Sequence, residues 1–236
     1  MIAATGTPAA GRAAKAATLT IPIIFVTGDD PVQLGLVTSL NRPNGNATGI
    51  YMLTASLESK RLELLHEVVP KAAIIGVMVD PNSPDTERQL RELPVAAGSI
   101  GQRIVILKAG TEREVEAAFA SIPAERIDAL LIASSPFYLP LRQRIVALAS
   151  HYNVPAIYFF RDFAVAGGLM SYGTDLADAY RQAGRYAGRI LKGEKPSDLP
   201  VQQSTKVEFV VNLKTAKSLG LSISLPLLGR ADEVIE

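Results

Sequence analysis

Cysteine is absent from the 236 residues. Disulfides, thiolate metal sites and cysteine nucleophiles are therefore excluded, and the lack is compatible with an oxidising compartment without specifying one. A charge bias is missing too. Lys and Arg number 24 against 23 Asp and Glu, interspersed, for a net charge of +1, so there is no electrostatic footprint for nucleic acid or an anionic membrane. No apolar run approaches the ~20 residues that span a bilayer, so direct membrane insertion is not expected. The first twenty residues, with Gly6, Pro8, Gly11, Arg12 and Lys15, lack the continuous apolar segment of a secretory signal peptide.

Catalytic motifs are missing as well. There is no G-x-S-x-G elbow, H-E-x-x-H pair, Walker loop or G-x-G-x-x-G. His66 and His151 fall within or at the end of expected helices, where a solvated or core role outweighs catalysis. Asp29 and Asp30 are neighbours in sequence, which places them poorly as an acid/base pair. Gly167-Gly168 precedes a strand rather than joining strand to helix, so it is no phosphate cradle. An enzyme is not expected, and no cofactor or metal is implied.

What is present is an alternation of short apolar runs and helical patterns. Thr7 stands where an N-cap belongs, with Pro8 at the first helical position and Ala-rich sequence to about Ala17. Residues 21–27 form a continuous apolar run, as in a strand buried on both faces. Asp29-Asp30-Pro31 predicts a turn and then a short helix to about Leu40. Ser56 opens an amphipathic helix through Val69. Further strands are expected at 73–79, 103–108, 128–133, 155–159 and 168–172. Helices are expected near 84–98 (kinked or interrupted at Pro94), 111–121, 140–152, 161–166, 175–192 and 212–219. Thr111 and Glu114 form a capping box. This order predicts an α/β fold with parallel sheets covered on both faces.

Several segments resemble one known family: GTPAA at 6–10, DDPV at 29–32, RPNGNATG at 42–49, IDALLI at 127–132, GGLMSYG at 167–173, ILKGEKPSDLPVQQ at 190–203 and VVNLKTAKSLGL at 210–221. In this order they look like the bacterial ABC-transporter substrate-binding proteins of the tryptophan/tyrosine-binding type. The resemblance implies the type I periplasmic binding protein fold: two Rossmann-like lobes joined by three crossovers, with a small-molecule ligand clamped in the cleft. It also implies a periplasmic or extracytoplasmic location and an ABC transporter membrane permease as partner. Such proteins normally carry two further strand–helix units before GTPAA, so the first lobe is expected to be incomplete, with Ile2–Thr5 as a bare sheet edge. The expected lobes are 1–48 plus 175–199 and 49–174 plus 200–225, with a tail at 226–236. Hinges are expected at Asn46–Tyr51, Gly173–Asp175 and Leu199–Gln202. Two other readings share the pattern: the effector-binding lobes of a transcription regulator, and a Rossmann-like isomerase or lyase using Asp30 and a serine.

Ligands of open α/β lobes sit outside the carboxyl ends of strands, and the candidates follow from that rule. Thr7 with the amides of the 7–17 helix suits a ligand carboxylate, or is an ordinary cap. Asp30 accepts from a ligand ammonium, or else Asp29 or Asp30 caps the helix expected after Pro31. Asn46 and Thr48 hydrogen-bond ligand or fix their turn; Asn46-Ala47-Thr48 also matches a glycosylation sequon, a tripeptide common by chance. In the second lobe Asn82 and Ser83 follow one strand, Ser134, Ser135 and Tyr138 another, and Phe160 a third, each a ligand contact or a cap and core group. Tyr172 flanks the second crossover, as a ligand contact or a hinge residue. The ligand expected is an amino acid or related carboxylate.

Overall fold

Strands and helices alternate through most of the computed structural model, which describes residues 1–236, the side chain of Ala55 excepted. In chain order they are β1 (Ile2–Ala4), α1 (Pro8–Ala17), β2 (Ile23–Thr27), β3 (Ala47–Met52), α2 (Glu58–Val68), β4 (Ile74–Val79), α3 (Thr86–Ser99), β5 (Arg103–Lys108), α4 (Glu112–Glu125) and β6 (Ala129–Ile132). There follow α5 (Arg142–His151), β7 (Ala156–Tyr158), α6 (Arg161–Val165), β8 (Met170–Thr174), α7 (Leu176–Leu191), β9 (Gln202–Ser204), β10 (Val207–Asn212), α8 (Leu213–Ser218), α9 (Leu225–Leu228) and β11 (Glu233–Ile235). Two compact units result, Met1–Leu53 with Thr174–Lys206, and Thr54–Gly173 with Val207–Glu236.

The first unit holds a four-stranded sheet in the order β1-β2-β3-β9, all its pairs parallel. Its centre is β2, buried at every position, as a strand covered on both faces must be. Ile23 and Phe25 pack with Leu36, Val37, Ala47 and Val201. The long amphipathic α7 lies on β2 and β3, burying Ala179, Ala183, Tyr186 and Ile190. β1 is the sheet edge, paired with β2 alone.

The second unit holds a seven-stranded sheet in the order β11-β10-β8-β7-β6-β4-β5. Its centre is a core of Ile75, Val77, Val79, Leu131, Ile157 and Phe209, over which α2 lays Leu62, Leu65 and Val68. One neighbour pair breaks the parallel pattern. Asn212, ending β10, donates its N–H to Leu169 before β8, and Asp175 after β8 donates to Lys206 before β10. Both bonds follow one antiparallel register, so β8 and β10 run in opposite senses.

Local expectations meet the structure unevenly. Thr7 caps α1 with Pro8 in its first turn. Thr111 caps α4 and the Glu114 carboxylate reaches back to the Gly110 amide. Pro94 neither ends nor interrupts α3, which is continuous from Thr86 to Ser99. Residues 31–40 form turns instead of the expected helix: Asp30 Oδ1 accepts from the Val32 and Gln33 amides, and Gly35 adopts a positive φ of 70°. That conformation suits glycine and stops a helix from propagating.

Unit boundaries also differ from the expectation. Residues 49–53 and 200–206 belong to the first unit, because β3 pairs with β2 and β9. Nor are residues 226–236 a tail, since they carry most of α9 and then β11, which pairs with β10 as the second sheet's edge.

Candidate functional site

At the carboxyl end of β1 the chain turns into α1 through Thr5-Gly6-Thr7. Thr7 is exposed, in an extended conformation, and its Oγ1 accepts from the Ala10 amide at 3.2 Å. No acidic residue lies in the first turn of α1, so the positive end of the helix is not neutralised by its own side chains. Beyond β2, the Asp30 carboxylate spends Oδ1 on its own turn, at 2.8 Å from the Val32 amide.

Of their two expected roles, Asn46 and Thr48 take the structural one. β3 begins at Ala47, so both stand at the amino end of their strand. Asn46 Nδ2 donates to the Thr18 and Ile21 carbonyls, and Oδ1 accepts from Lys15 Nζ at 3.0 Å. Thr48 is fully buried and donates to the Leu199 carbonyl at 2.7 Å. These side chains tie the first unit together and leave no hydrogen for a ligand.

In the second unit the carboxyl ends of β4 and β6 are joined by Asp80. Its Oδ1 accepts from the Asn82 amide and its Oδ2 from Ser135 Oγ at 2.7 Å, while Ser135 in turn accepts from the Phe137 amide. Ser83 Oγ accepts from the Asp85 amide. The exposed Asn82 side chain lies against Gly110, where a Cβ would stand 2.4 Å from its amide nitrogen. Tyr138 is fully buried; its hydroxyl donates to the Ala109 carbonyl at 2.7 Å, and burial pushes its pKa well above the phenol range. Phe160 packs against Phe159 at the start of α6. Tyr172 meets Phe209 edge-on, and its carbonyl accepts from Arg61. Ser135 and Tyr138 are thus committed to the interior of this unit.

Ser134 is different, and it leads to a cluster that sequence reasoning missed. Its backbone N–H and its hydroxyl both donate to Glu58 Oε1, at 3.1 and 3.0 Å. Gln89 Nε2 bridges the same oxygen, at 2.8 Å, and the Ser134 carbonyl. Arg61 lies 3.6 Å from Glu58 Oε1, and the half-buried Arg88 3.9 Å from Oε2. Burial raises the Glu58 pKa, opposed by the two arginines and Ser134. Burial lowers the fully buried Arg61 to about 10, opposed by Glu58. Arg61 donates to the Thr54 and Tyr172 carbonyls, both at 3.1 Å, so it holds the second unit's chain where it enters and where it leaves. Glu58 and Arg61 sit three apart among charged residues that read as a solvated helix face. Their cover comes from Gln89 and Ser134, far along the chain, and no local pattern announces it.

Two pockets lie at the opposite, amino ends of the sheets. One of about 230 Å³ is lined by Ser150, Asn153, Tyr158 and Leu169, and one of about 400 Å³ by Thr20, Asn46, Glu194 and Lys195. Among the described residues no group of three His, Asp or Glu could hold a metal ion, and no helix is long and apolar enough to cross a membrane.

The chain is 31% identical over 223 residues to a tyrosine-binding protein of Clostridioides difficile (strain R20291), a match that takes in 94% of this chain and 63% of that relative's length. Among solved structures, a conserved domain protein of Vibrio cholerae superposes with a TM-score of 0.85 at 26% identity, over 98% of this chain and 77% of that one. An ABC domain from Streptococcus pneumonia in complex with L-Trp has a TM-score of 0.85 at 23% identity, covering 100% and 80%, and supports the fold alone. The ligand-free, open form of a Clostridium difficile substrate-binding protein gives 0.68 at 27%, covering 99% and 77%. Largely parallel α/β sheets in two units agree with the type I periplasmic binding protein architecture of these neighbours. The model of the ABC transporter substrate binding protein family matches residues 1–235, and the chain belongs to that family.

Proposed function

We propose that this chain is the ligand-capturing component of an ABC importer, that it works outside the cytoplasm with a membrane permease, and that its ligand is an amino acid or related small carboxylate. The role is capture and delivery rather than catalysis. The observation that carries the ligand class is Thr7: an exposed hydroxyl at the carboxyl end of β1, heading a helix whose first turn holds no acid. A hydroxyl and helix amides at a positive dipole end suit a carboxylate. The tyrosine-binding relative supports the same chemistry.

The test is calorimetric titration of the 1–236 chain and its Thr7→Val variant with L-tyrosine and L-tryptophan. Loss of a hydrogen bond to a charged group should weaken binding by ~1–3 kcal/mol. Equal affinity of parent and variant would remove Thr7 from the site. Failure of both amino acids to bind the parent would defeat the ligand class.

A further inference from the structure

Glu58 bears on what Ser134 can offer a ligand. An ionised carboxylate only accepts hydrogen bonds, so the Ser134 hydroxyl, 3.0 Å from Glu58 Oε1, must give its proton there. The Ser134 amide donates to the same oxygen, which holds the residue from two sides. None of the described residues donates to Ser134 Oγ, and the side chain is only partly buried at the carboxyl end of β6. Its lone pairs therefore remain available as acceptors.

We propose that Glu58 is a positioning residue that determines specificity: by accepting the hydrogen bond of the Ser134 hydroxyl it makes Ser134 an obligatory acceptor for a ligand N–H or O–H donor, an ammonium above all. The inference rests on the amino-acid reading above and adds what selects the ligand's donor group.

The groups facing Glu58 keep this arrangement in place. Arg61 from its own helix and Arg88 from α3 favour the ionised form, while Gln89 fixes the shared oxygen. Arg88 is in turn paired with Asp85 and Glu92. Burial opposes ionisation and raises the carboxyl above its usual range. Once Glu58 is protonated it no longer obliges Ser134 to donate, so selection for a donor ligand should fade as pH falls through that raised value.

Two measurements test this. The first titrates L-tyrosine and 3-(4-hydroxyphenyl)propanoate, the same molecule without its ammonium, into the parent, Glu58→Gln and Ser134→Ala. The parent should prefer L-tyrosine, and both variants should lose about tenfold or more of that preference, the scale of one charge-assisted hydrogen bond. A preference unchanged in Glu58→Gln, or affinities that fall equally for both ligands, would overturn the proposal, since a purely structural glutamate would do just that. The second measurement needs no ligand. In NMR spectra of the parent, the Ser134 amide resonance should titrate with Glu58 above the ordinary carboxylate range, and this titration should vanish in Glu58→Gln. If Ser134 does not report Glu58, the proposal fails. If neither L-tyrosine nor L-tryptophan binds the parent, the ligand class fails, and the NMR titration still decides whether Glu58 holds Ser134.

Discussion

Asp175 and Lys206 meet twice: their side chains pair at 2.7 Å, and the Asp175 N–H donates to the Lys206 carbonyl at 3.0 Å. They stand at two of the points where the chain passes between units, on the first unit's side of each. Asp175 is also the N-cap of α7, accepting from the Asp178 amide at 2.9 Å. The cap should matter more than the pair. Lys206 is 62% exposed at its side chain, and such pairs contribute ~0–1 kcal/mol, whereas losing an N-cap costs ~0.5–2 kcal/mol.

Asp175→Ala should therefore destabilise the first unit by ~1–2 kcal/mol at neutral pH, and Asp175→Asn, which still caps, by less. The pH dependence has a definite sign. Burial raises the Asp175 pKa, but hydrogen bonds from Lys206 and the 177–178 amides, with the Lys206 charge, outweigh it, and the net shift is downward. A carboxyl lowered in the folded state contributes stability above its unfolded value of ~3.9, and that contribution is lost as pH falls through the folded value. Urea titrations of the parent between about pH 5 and 2 should show this component, and Asp175→Asn should lack it. An equal acid response in the two proteins would show that Asp175 carries none of it.

Two glycines make opposite predictions for one substitution. A Cβ on Gly173 would stand 1.8 Å from the Phe159 carbonyl oxygen, a backbone atom that cannot swing away. A Cβ on Gly184, exposed on α7, would meet nothing within 4 Å. Gly173→Ala should therefore destabilise the second unit by ~1–3 kcal/mol or more, as overpacking does. Gly184→Ala should stabilise the first by ~0.4–1 kcal/mol, through helix propensity and a less free unfolded chain. Thermal melts of both variants check the signs. Similar shifts for both would mean that the close approach at Gly173 relaxes at little cost.

The legible part of this fold was the part with local causes. Apolar runs such as 23–27 and 74–79 became central strands, and Thr7 and Thr111 became caps, because burial on both faces and orphan amides act within a few residues. β9 was obscure because Gln202-Gln203-Ser204 is polar, and it becomes a strand only by pairing with β3. β11 was missed for a like reason, as the partner of β10. The turn after Pro31 read as a helix because its apolar residues Leu34, Leu36 and Val37 carry no sign that Asp30 folds back on the next amides.

Candidate site residues followed the same division. Strand ends were readable, so Thr7 and Ser134 were placed at carboxyl ends. The partners of polar side chains were not, because Ser135 finds Asp80 and Thr48 finds Leu199 only in the folded chain. Glu58 escaped entirely, since a carboxylate among charged helical residues gives no sign that it will be covered.

Stability should be unequal between the units, and hydrogen exchange can measure it. The first unit has a four-stranded sheet whose edge strands, β1 and β9, are three residues each, and Ala3 in β1 is exposed. The second has seven strands, with β4, β6 and β7 buried at nearly every position. Burial contributes roughly 25 cal/mol per Å² of apolar surface, against a net domain stability of only ~5–15 kcal/mol, so a smaller sheet leaves little margin. A bare edge strand also invites pairing with a second chain. In the 1–236 chain, amides of β1 to β3 should exchange through openings of lower free energy than those of β4, β6 and β7, with β1 fastest. Mild denaturant should widen the gap, and aggregation, where it occurs, should follow opening of the first unit. Equal slow exchange across both sheets would show that the four-stranded unit is as stable as the seven-stranded one.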